Sequence, residues 1–122
     1  MNKMTIFGAV TLLLVASPAM AAPDGNWRCS AQGNIPIGLM TIKGTGYKFQ
    51  AVSNSLWKPK PSDSLNGSGN LAVDGSKLTM ASGPLHAKGG VRTGVYGASG
   101  KSDYMDFFTE PKGYYYLRCL RP

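Results

Sequence analysis

Few side chains in this sequence have the types and spacing that catalysis requires. Ser82 and His86 could form a nucleophile and its general base, and His86 is the only histidine of the chain. The sequence around Ser82 lacks the nucleophile-elbow pattern, and no acidic residue nearby would orient the histidine. We therefore interpret His86 as a loop residue, and we expect no catalytic residues and no enzymatic activity.

The acidic residues near the C-terminus form the second candidate group. Asp103, Asp106 and Glu110 could bind calcium or act as a general acid and base. On a strand, however, Asp103 and Asp106 lie on opposite faces, and their spacing does not match a calcium-binding loop. The chain has no second histidine, and we expect no free cysteine, so a zinc site would lack ligands. We therefore expect no metal ligands and no cofactor.

Residues 1–21 have the layout of a secretory signal peptide. A basic start at Lys3 is followed by an apolar run over 6–16 and by an A-x-A motif that ends at Ala21. The apolar run is shorter than the roughly 20 residues that span a bilayer. We predict cleavage after Ala21, a single domain at residues 22–122, and a periplasmic or secreted protein without a transmembrane segment.

Export determines how the two cysteines are interpreted. Cys29 and Cys119 are the only cysteines of the chain, and neither belongs to a CxxC motif. In an oxidising compartment, two such cysteines most simply form one structural disulfide. The alternative, a pair of free thiols for redox chemistry or metal binding, has no motif to support it.

Glycine-rich turns and period-two alternation predict the elements that position these residues. Turn signals such as KGTG at 43–46, NGSGN at 66–70 and GASG at 97–100 separate short runs of alternating apolar and polar residues. In one such run, Tyr47, Phe49 and Ala51 share a face. No part of residues 22–122 has a sustained helical period. The sequence therefore predicts an all-β domain.

About eight strands can be delimited in this way, which is the number that closes a small barrel around its own side chains or around one small ligand. We place them near 26–31, 36–43, 46–53, 69–73, 76–81, 90–97, 102–109 and 113–120. One hairpin is predicted with a two-residue Asp74-Gly75 loop, so that Leu71 lies opposite Leu78. Leu71, Val73, Leu78 and Met80 would then share the apolar face.

The first and last strands place their cysteines among apolar neighbours. Cys29 shares a face with Trp27, and Cys119 shares one with Tyr115 and Leu117. Tyr114, Tyr116 and Arg118 take the opposite face of the last strand. Since closing a barrel removes its exposed edges, we predict an antiparallel up-and-down barrel whose first and last strands are joined by Cys29–Cys119.

Residues 54–66, NSLWKPKPSDSLN, interrupt the alternation with two prolines and predict a long loop. In one interpretation, Leu56 and Trp57 cover one open end of the barrel as an apolar plug. In the other, Trp57 is an exposed anchor for a partner, flanked by Lys58 and Lys60.

The charge balance suggests the class of partner. The whole chain has a net charge of +7. Basic charge with interleaved aromatic residues would indicate nucleic acid inside a cell. For an exported protein we instead expect a protein or an anionic envelope component, and no nucleic acid. A basic surface that only keeps the protein soluble is the open alternative.

Several short motifs and the overall layout resemble known exported proteins. GNWRC at 25–29 resembles the G-x-W of lipocalin-like barrels, which implies that Trp27 closes the barrel floor and that Arg118 covers it. ASGKSDY at 98–104 is similar to the S-G-x-x-Y loop of c-type lysozyme inhibitors, with one extra residue before the tyrosine. The overall layout of a signal peptide, about 100 further residues, one disulfide and an antiparallel barrel also resembles small periplasmic inhibitors of proteases and of lysozyme. The aromatic-x-Cys start and SGPL at 82–85 are similar to uncharacterised exported bacterial proteins.

The sequence therefore favours a non-enzymatic binding module of the bacterial cell envelope that acts as a monomer and binds a protein, as an inhibitor does, or an anionic envelope component. The alternative is a carrier that holds a small hydrophobic ligand inside the barrel. The predicted partner-binding residues are Trp57, Lys58 and Lys60, with a second patch of Arg92, Tyr114, Tyr116 and Arg118.

Overall fold

The computed structural model describes residues 23–53, 56–99, 102–110 and 113–121. The signal peptide predicted at residues 1–21 lies outside these ranges. In chain order the elements are β1 (Gly25–Ala31), β2 (Ile35–Lys43), β3 (Gly46–Ala51), β4 (Gly67–Asp74), β5 (Lys77–Met80), α1 (Pro84–Ala87), β6 (Thr93–Ser99), β7 (Ser102–Phe108) and β8 (Leu117–Leu120).

The eight strands form a closed antiparallel barrel in which each strand pairs with the next and β8 pairs with β1. At the β8–β1 seam, Cys29 and Cys119 are directly opposite each other, with their Cα atoms 4.0 Å apart, and form a disulfide. Both cysteines are fully buried. The all-β barrel and the seam disulfide predicted from the sequence are confirmed.

The barrel interior is filled by the inward side chains of the alternating strands. The largest of them are less than 2% exposed, and they form one contiguous core with the disulfide. This core includes Trp27, Met40, Ile42, Phe49, Leu71, Leu78, Met105, Phe107 and Leu117. The short helix α1, between β5 and β6, adds Leu85 to the same core. The alternation in the sequence therefore corresponds to burial.

Trp27 lies at the end of the barrel where β1 begins. Its indole Nε1 donates to the Pro23 carbonyl at 2.8 Å, and its ring meets Tyr96 edge to face. The Arg121 guanidinium stacks over the indole at 4.3 Å and donates to Asp103 at 2.9 Å. This cluster connects β1, β6 and β7 with the segments that precede β1 and follow β8.

The expectation that Arg118 covers Trp27 is wrong, because Arg121 takes that position. Cys119 points into the barrel, so its neighbours Arg118 and Leu120 point outward and only Arg121 returns to the inner side.

The predicted register of the β4–β5 hairpin is also wrong. Val73 pairs with Leu78 and Leu71 pairs with Met80, so the two loop residues are Gly75 and Ser76. Gly75 has a φ of 61°, which suits the first position of a II′ turn. The predicted apolar face persists, although Val73 is 37% exposed.

Candidate functional site

The outer side of the β8–β1 seam carries a row of large side chains. Arg28 on β1 lies opposite Leu120 on β8, and Leu120 lies opposite Tyr104 on β7. On its other side, Arg28 lies opposite Leu39 on β2. Cross-strand partners have neighbouring side chains, so these four residues form a continuous outward row across four strands.

The segment after β3 turns back on itself. Val52 forms a bridge with Pro59, and the Ser53 N–H donates to the Lys58 carbonyl at 2.8 Å. The Lys60 N–H donates to the Ala51 carbonyl at 2.9 Å, which extends β3 into a short two-stranded arm. Leu56 and Trp57 lie towards the tip of this arm.

Trp57 lies outside the barrel rather than over its end. Its ring packs against Arg28, with 5.3 Å between the guanidinium carbon and the ring centroid, and its side chain is half-buried. Leu56 is 66% exposed. The interpretation of these two residues as an apolar plug is therefore wrong. We call Arg28, Leu39, Trp57, Tyr104, Arg118 and Leu120 the seam face.

Arg118 is fixed on this face by two contacts. Its guanidinium makes a bidentate ion pair with Asp106, at 2.7 and 2.9 Å, and stacks on the Tyr115 ring at 4.5 Å. The hydrogen bonds to Asp106 raise the pKa of Arg118 above its ordinary value. Arg118 is therefore a cation whose charge is already matched within the chain.

A glycine allows Tyr104 to lie flat against the sheet. Tyr104 pairs with Gly97 on β6, and a Cβ at Gly97 would lie 2.6 Å from the tyrosine ring. Any other residue at position 97 would have a Cβ that displaces the Tyr104 ring. With Ser102, Arg118 and Leu120, Tyr104 lines a shallow depression on the seam face.

The remaining predicted partner-binding residues are dispersed. Lys58 is exposed beside Trp57, while Lys60 makes an ion pair with Asp63 at 3.4 Å. Arg92 precedes β6 and donates to the His86 carbonyl, away from the seam. Tyr114 is 88% exposed.

The predicted faces of two tyrosines are reversed. Tyr116 was expected to point outward, but it packs against the core, whereas Tyr115 lies outside under Arg118. Strand β8 begins only at Leu117, and the Tyr116 N–H donates to the Phe107 carbonyl. Strict alternation therefore does not extend back to the tyrosines.

The residues considered for catalysis have separate structural contacts. His86 lies in the short helix α1, so its interpretation as a loop residue is wrong. The Ser82 hydroxyl accepts the Asn70 N–H, and in the described part of the chain no hydrogen bond joins Ser82 to His86. Asp103 contacts Arg121, whereas Asp106 contacts Arg118 on the outer side. Within the described ranges, no three histidine, cysteine or acidic side chains are grouped as metal ligands.

The sequence did not identify Arg28, Tyr104, Tyr115 or Leu120 as site residues. Outward placement of Arg28 follows from strand alternation, but its contact with Trp57 depends on how the arm folds. The part of the 98–104 motif at residues 100–101 lies outside the described residues.

Searches of protein families, curated proteins and solved structures found no match to this chain. Among the residues described, no helix has the length and apolar character needed to cross a membrane.

Proposed function

We propose that this protein is an exported, non-enzymatic binding module of the bacterial cell envelope that recognises a partner protein through the seam face. The observation that carries the proposal is the position of Trp57. Its indole is held on the outer surface, against Arg28, by an arm that is joined through the backbone hydrogen bonds Ser53–Lys58 and Lys60–Ala51. Tryptophan, tyrosine and arginine are the residues most enriched at the energetic centres of protein interfaces.

The backbone of Trp57 supports a role beyond folding. Its φ is 55°, in the left-handed region that residues other than glycine rarely adopt. Such a conformation costs about 1–3 kcal/mol. Trp57 does not belong to the core, so this cost is not offset by burial inside the barrel. A partner that covers the indole would supply the missing burial.

The seam face also has a rigid support. Cys29 and Cys119 lie on the inner side of the strands whose outer sides carry Arg28, Arg118 and Leu120. The covalent bond holds β8 against β1, so the outward side chains keep a fixed spacing. A surface that is ordered before binding loses less entropy when the complex forms.

The filled interior disfavours the alternative function of a hydrophobic-ligand carrier. Trp27, Phe49 and Phe107 occupy the barrel together with Met40 and Met105, and all are at most 1% exposed. A ligand would have to displace these well-packed side chains.

Site-specific photo-crosslinking in envelope extract tests the proposal. A benzoylphenylalanine in place of Leu56, which is 66% exposed, should crosslink one protein. The matched control carries the same group in place of Ala72, an exposed residue on the outer side of β4. The captured protein is identified by mass spectrometry, purified and titrated against the unmodified domain.

Trp57→Ala should then reduce binding of the purified partner about a hundredfold, as expected for an interface centre worth about 2–3 kcal/mol. Val73→Ala, which truncates another partly exposed apolar side chain, should leave binding unchanged. Equal crosslinking from positions 56 and 72, crosslinks to lipid or polysaccharide alone, or unchanged binding by Trp57→Ala would each overturn the proposal.

Export is tested separately, by N-terminal sequencing of the exported protein. Its first residue should be Ala22.

A further inference from the structure

Three arginines of this barrel stack on aromatic rings. Arg118 stacks on Tyr115 at 4.5 Å, and Arg121 stacks on Trp27 at 4.3 Å. Arg28 packs against Trp57 at 5.3 Å. Contact with a ring orients the guanidinium plane. The N–H donors lie in that plane and point away from its edge, so they can still bind another group.

Two of these arginines direct their donors to a carboxylate of the same chain. Arg118 binds both oxygens of Asp106, and Arg121 binds Asp103 at 2.9 Å. Arg28 differs, because no aspartate or glutamate in the described ranges makes an ion pair with it. The same aromatic–arginine unit therefore occurs twice with a carboxylate and once without one.

We propose that Arg28 is a carboxylate-binding residue of the seam face, and that an acidic side chain of the partner protein occupies it as Asp106 occupies Arg118. This inference rests on the proposed function and specifies the chemistry of the partner. Bidentate arginine–carboxylate pairs are among the stronger polar contacts and impose a fixed geometry.

Apolar neighbours indicate that the carboxylate belongs to a peptide. Leu120 lies directly opposite Arg28 and is 45% exposed, and Leu39 lies opposite on the other side. Leu56 is exposed on the same arm as Trp57. An aspartate or glutamate flanked by apolar residues would match both the cation and these side chains. A phosphate or a uronic acid would leave the leucines uncovered.

The charge of the whole chain favours the same occupant. Without Lys3 of the predicted signal peptide, the domain carries 12 basic and 6 acidic side chains, a net charge of +6, and it attracts acidic surfaces over distances of about 10 Å at moderate salt. Three of its own aspartates are already engaged, in the pairs Lys60–Asp63, Arg118–Asp106 and Arg121–Asp103. These acidic groups are therefore unavailable to Arg28.

Defined peptides provide the direct test. The ¹⁵N-labelled exported domain is titrated with acetyl-Leu-Asp-Phe-amide and with the isosteric acetyl-Leu-Asn-Phe-amide, while the Arg28 Nε–H and Trp57 indole resonances are followed by NMR. The aspartate peptide should shift both resonances and bind about tenfold more tightly than the asparagine peptide. Digalacturonate and inorganic phosphate serve as the sugar and phosphate probes, and both should bind more weakly than the aspartate peptide.

Variants separate the paired donors of Arg28 from its charge. Arg28→Lys keeps the charge but loses the bidentate geometry, and it should weaken binding of the aspartate peptide about tenfold. Lys77→Gln removes one exposed charge far from the seam and should change the affinity less than about twofold. Equal binding of the two peptides, or full affinity in Arg28→Lys, would overturn the inference. Tighter binding of digalacturonate or phosphate would overturn it as well.

The two proposals can fail separately. If Trp57→Ala abolishes binding of the crosslinked partner while Arg28→Lys leaves it unchanged, the proposed function stands and the carboxylate site is wrong. If position 56 captures no protein but the peptide titration discriminates aspartate from asparagine, the carboxylate site stands and the proposed function is wrong.

Discussion

The β8–β1 seam is the one strand pair of the barrel that a covalent bond joins. Only Arg28, Cys29 and Ser30 of β1 pair with β8, whereas β1 pairs with β2 from Gly25 to Ala31. The β5–β6 pair is equally short but has no covalent bond. We therefore expect the double variant Cys29→Ala/Cys119→Ala to weaken the seam more than it weakens the β5–β6 pair.

The size of the effect follows from the separation of the cysteines, which is 90 residues. Closing a loop of that length in the unfolded chain removes conformational entropy worth about 4.6 kcal/mol at 25 °C. Both sulfurs are fully buried, and the small gaps left by alanine add on the order of 1 kcal/mol. A domain of this size has a free energy of unfolding of about 5–15 kcal/mol, so the variant should lose at least a third of it.

Urea unfolding followed by circular dichroism measures this loss. The variant should also show a larger dependence of the free energy on urea, because its unfolded chain is less compact and exposes more surface. Native-state hydrogen exchange should show a larger loss of protection at the amides of β8 than at those of β5 and β6.

The control is Leu117→Ala, which truncates a buried side chain of the same strand and leaves the disulfide intact. It should lower stability by about 2–5 kcal/mol without changing the urea dependence. If the double cysteine variant loses less than about 1 kcal/mol and keeps the original urea dependence, the disulfide does not stabilise the seam by constraining the unfolded chain.

Two further predictions concern the core. Gly38→Ala should destabilise the barrel by about 1–3 kcal/mol in urea unfolding, because the added Cβ would overlap the Phe49 ring; Gly46→Ala, whose nearest neighbour is 3.6 Å away, should be nearly neutral. Burial raises the pKa of Tyr47 above its ordinary value of 10.0, so the stability that depends on its neutral form is complete below pH 10 and is lost as pH rises through the folded pKa. In Tyr47→Phe the Leu85 N–H loses its acceptor, so the variant should be less stable than the wild type at pH 7. Because the variant has no phenol to ionise at this position, its melting temperature should fall less steeply above pH 10. Parallel melting curves of the two proteins at alkaline pH would contradict this.

Period-two alternation was sufficient to predict which residues face the core, but not how the strands are aligned. In the β4–β5 hairpin, both the predicted and the observed register place Leu71 and Leu78 on the same side. The two registers differ by two residues, and a period of two is unchanged by such a shift. Only the turn geometry distinguishes them: an Asp74-Gly75 loop of type I′ needs positive φ at both residues, and Gly75 has it whereas Asp74 does not.

Alternation also fails where the backbone leaves the strand. Extending the pattern of β8 back through residues 114–116 reversed the positions of Tyr115 and Tyr116, because the strand starts at Leu117. Within β8 itself the pattern holds, and it excludes Arg118 from the inner side that Trp27 and Cys119 share. Arg121 lies one residue beyond the end of β8, and its position over Trp27 is known from the structure.

Trp57 shows the limit of sequence-based reasoning at the site. The two prolines predicted an irregular segment, but the direction of the indole depends on the arm formed after β3 and on a positive φ. Neither property has a signature in the composition of residues 54–66. The outward direction of Arg28, by contrast, follows from the inward direction of Cys29.

Each cysteine is preceded by an arginine, and this repeated pair links the stability of the barrel to its surface. Cys29 and Cys119 are opposite each other across an antiparallel seam, so Arg28 lies opposite Leu120 and Arg118 lies opposite Ser30. The two arginines are consequently placed diagonally, on either side of the disulfide and on the outer side of the sheet. One is neutralised by Asp106 and the other packs against Trp57. Because the same pairing register sets the disulfide and the spacing of the arginines, the seam face is organised by the bond that closes the barrel.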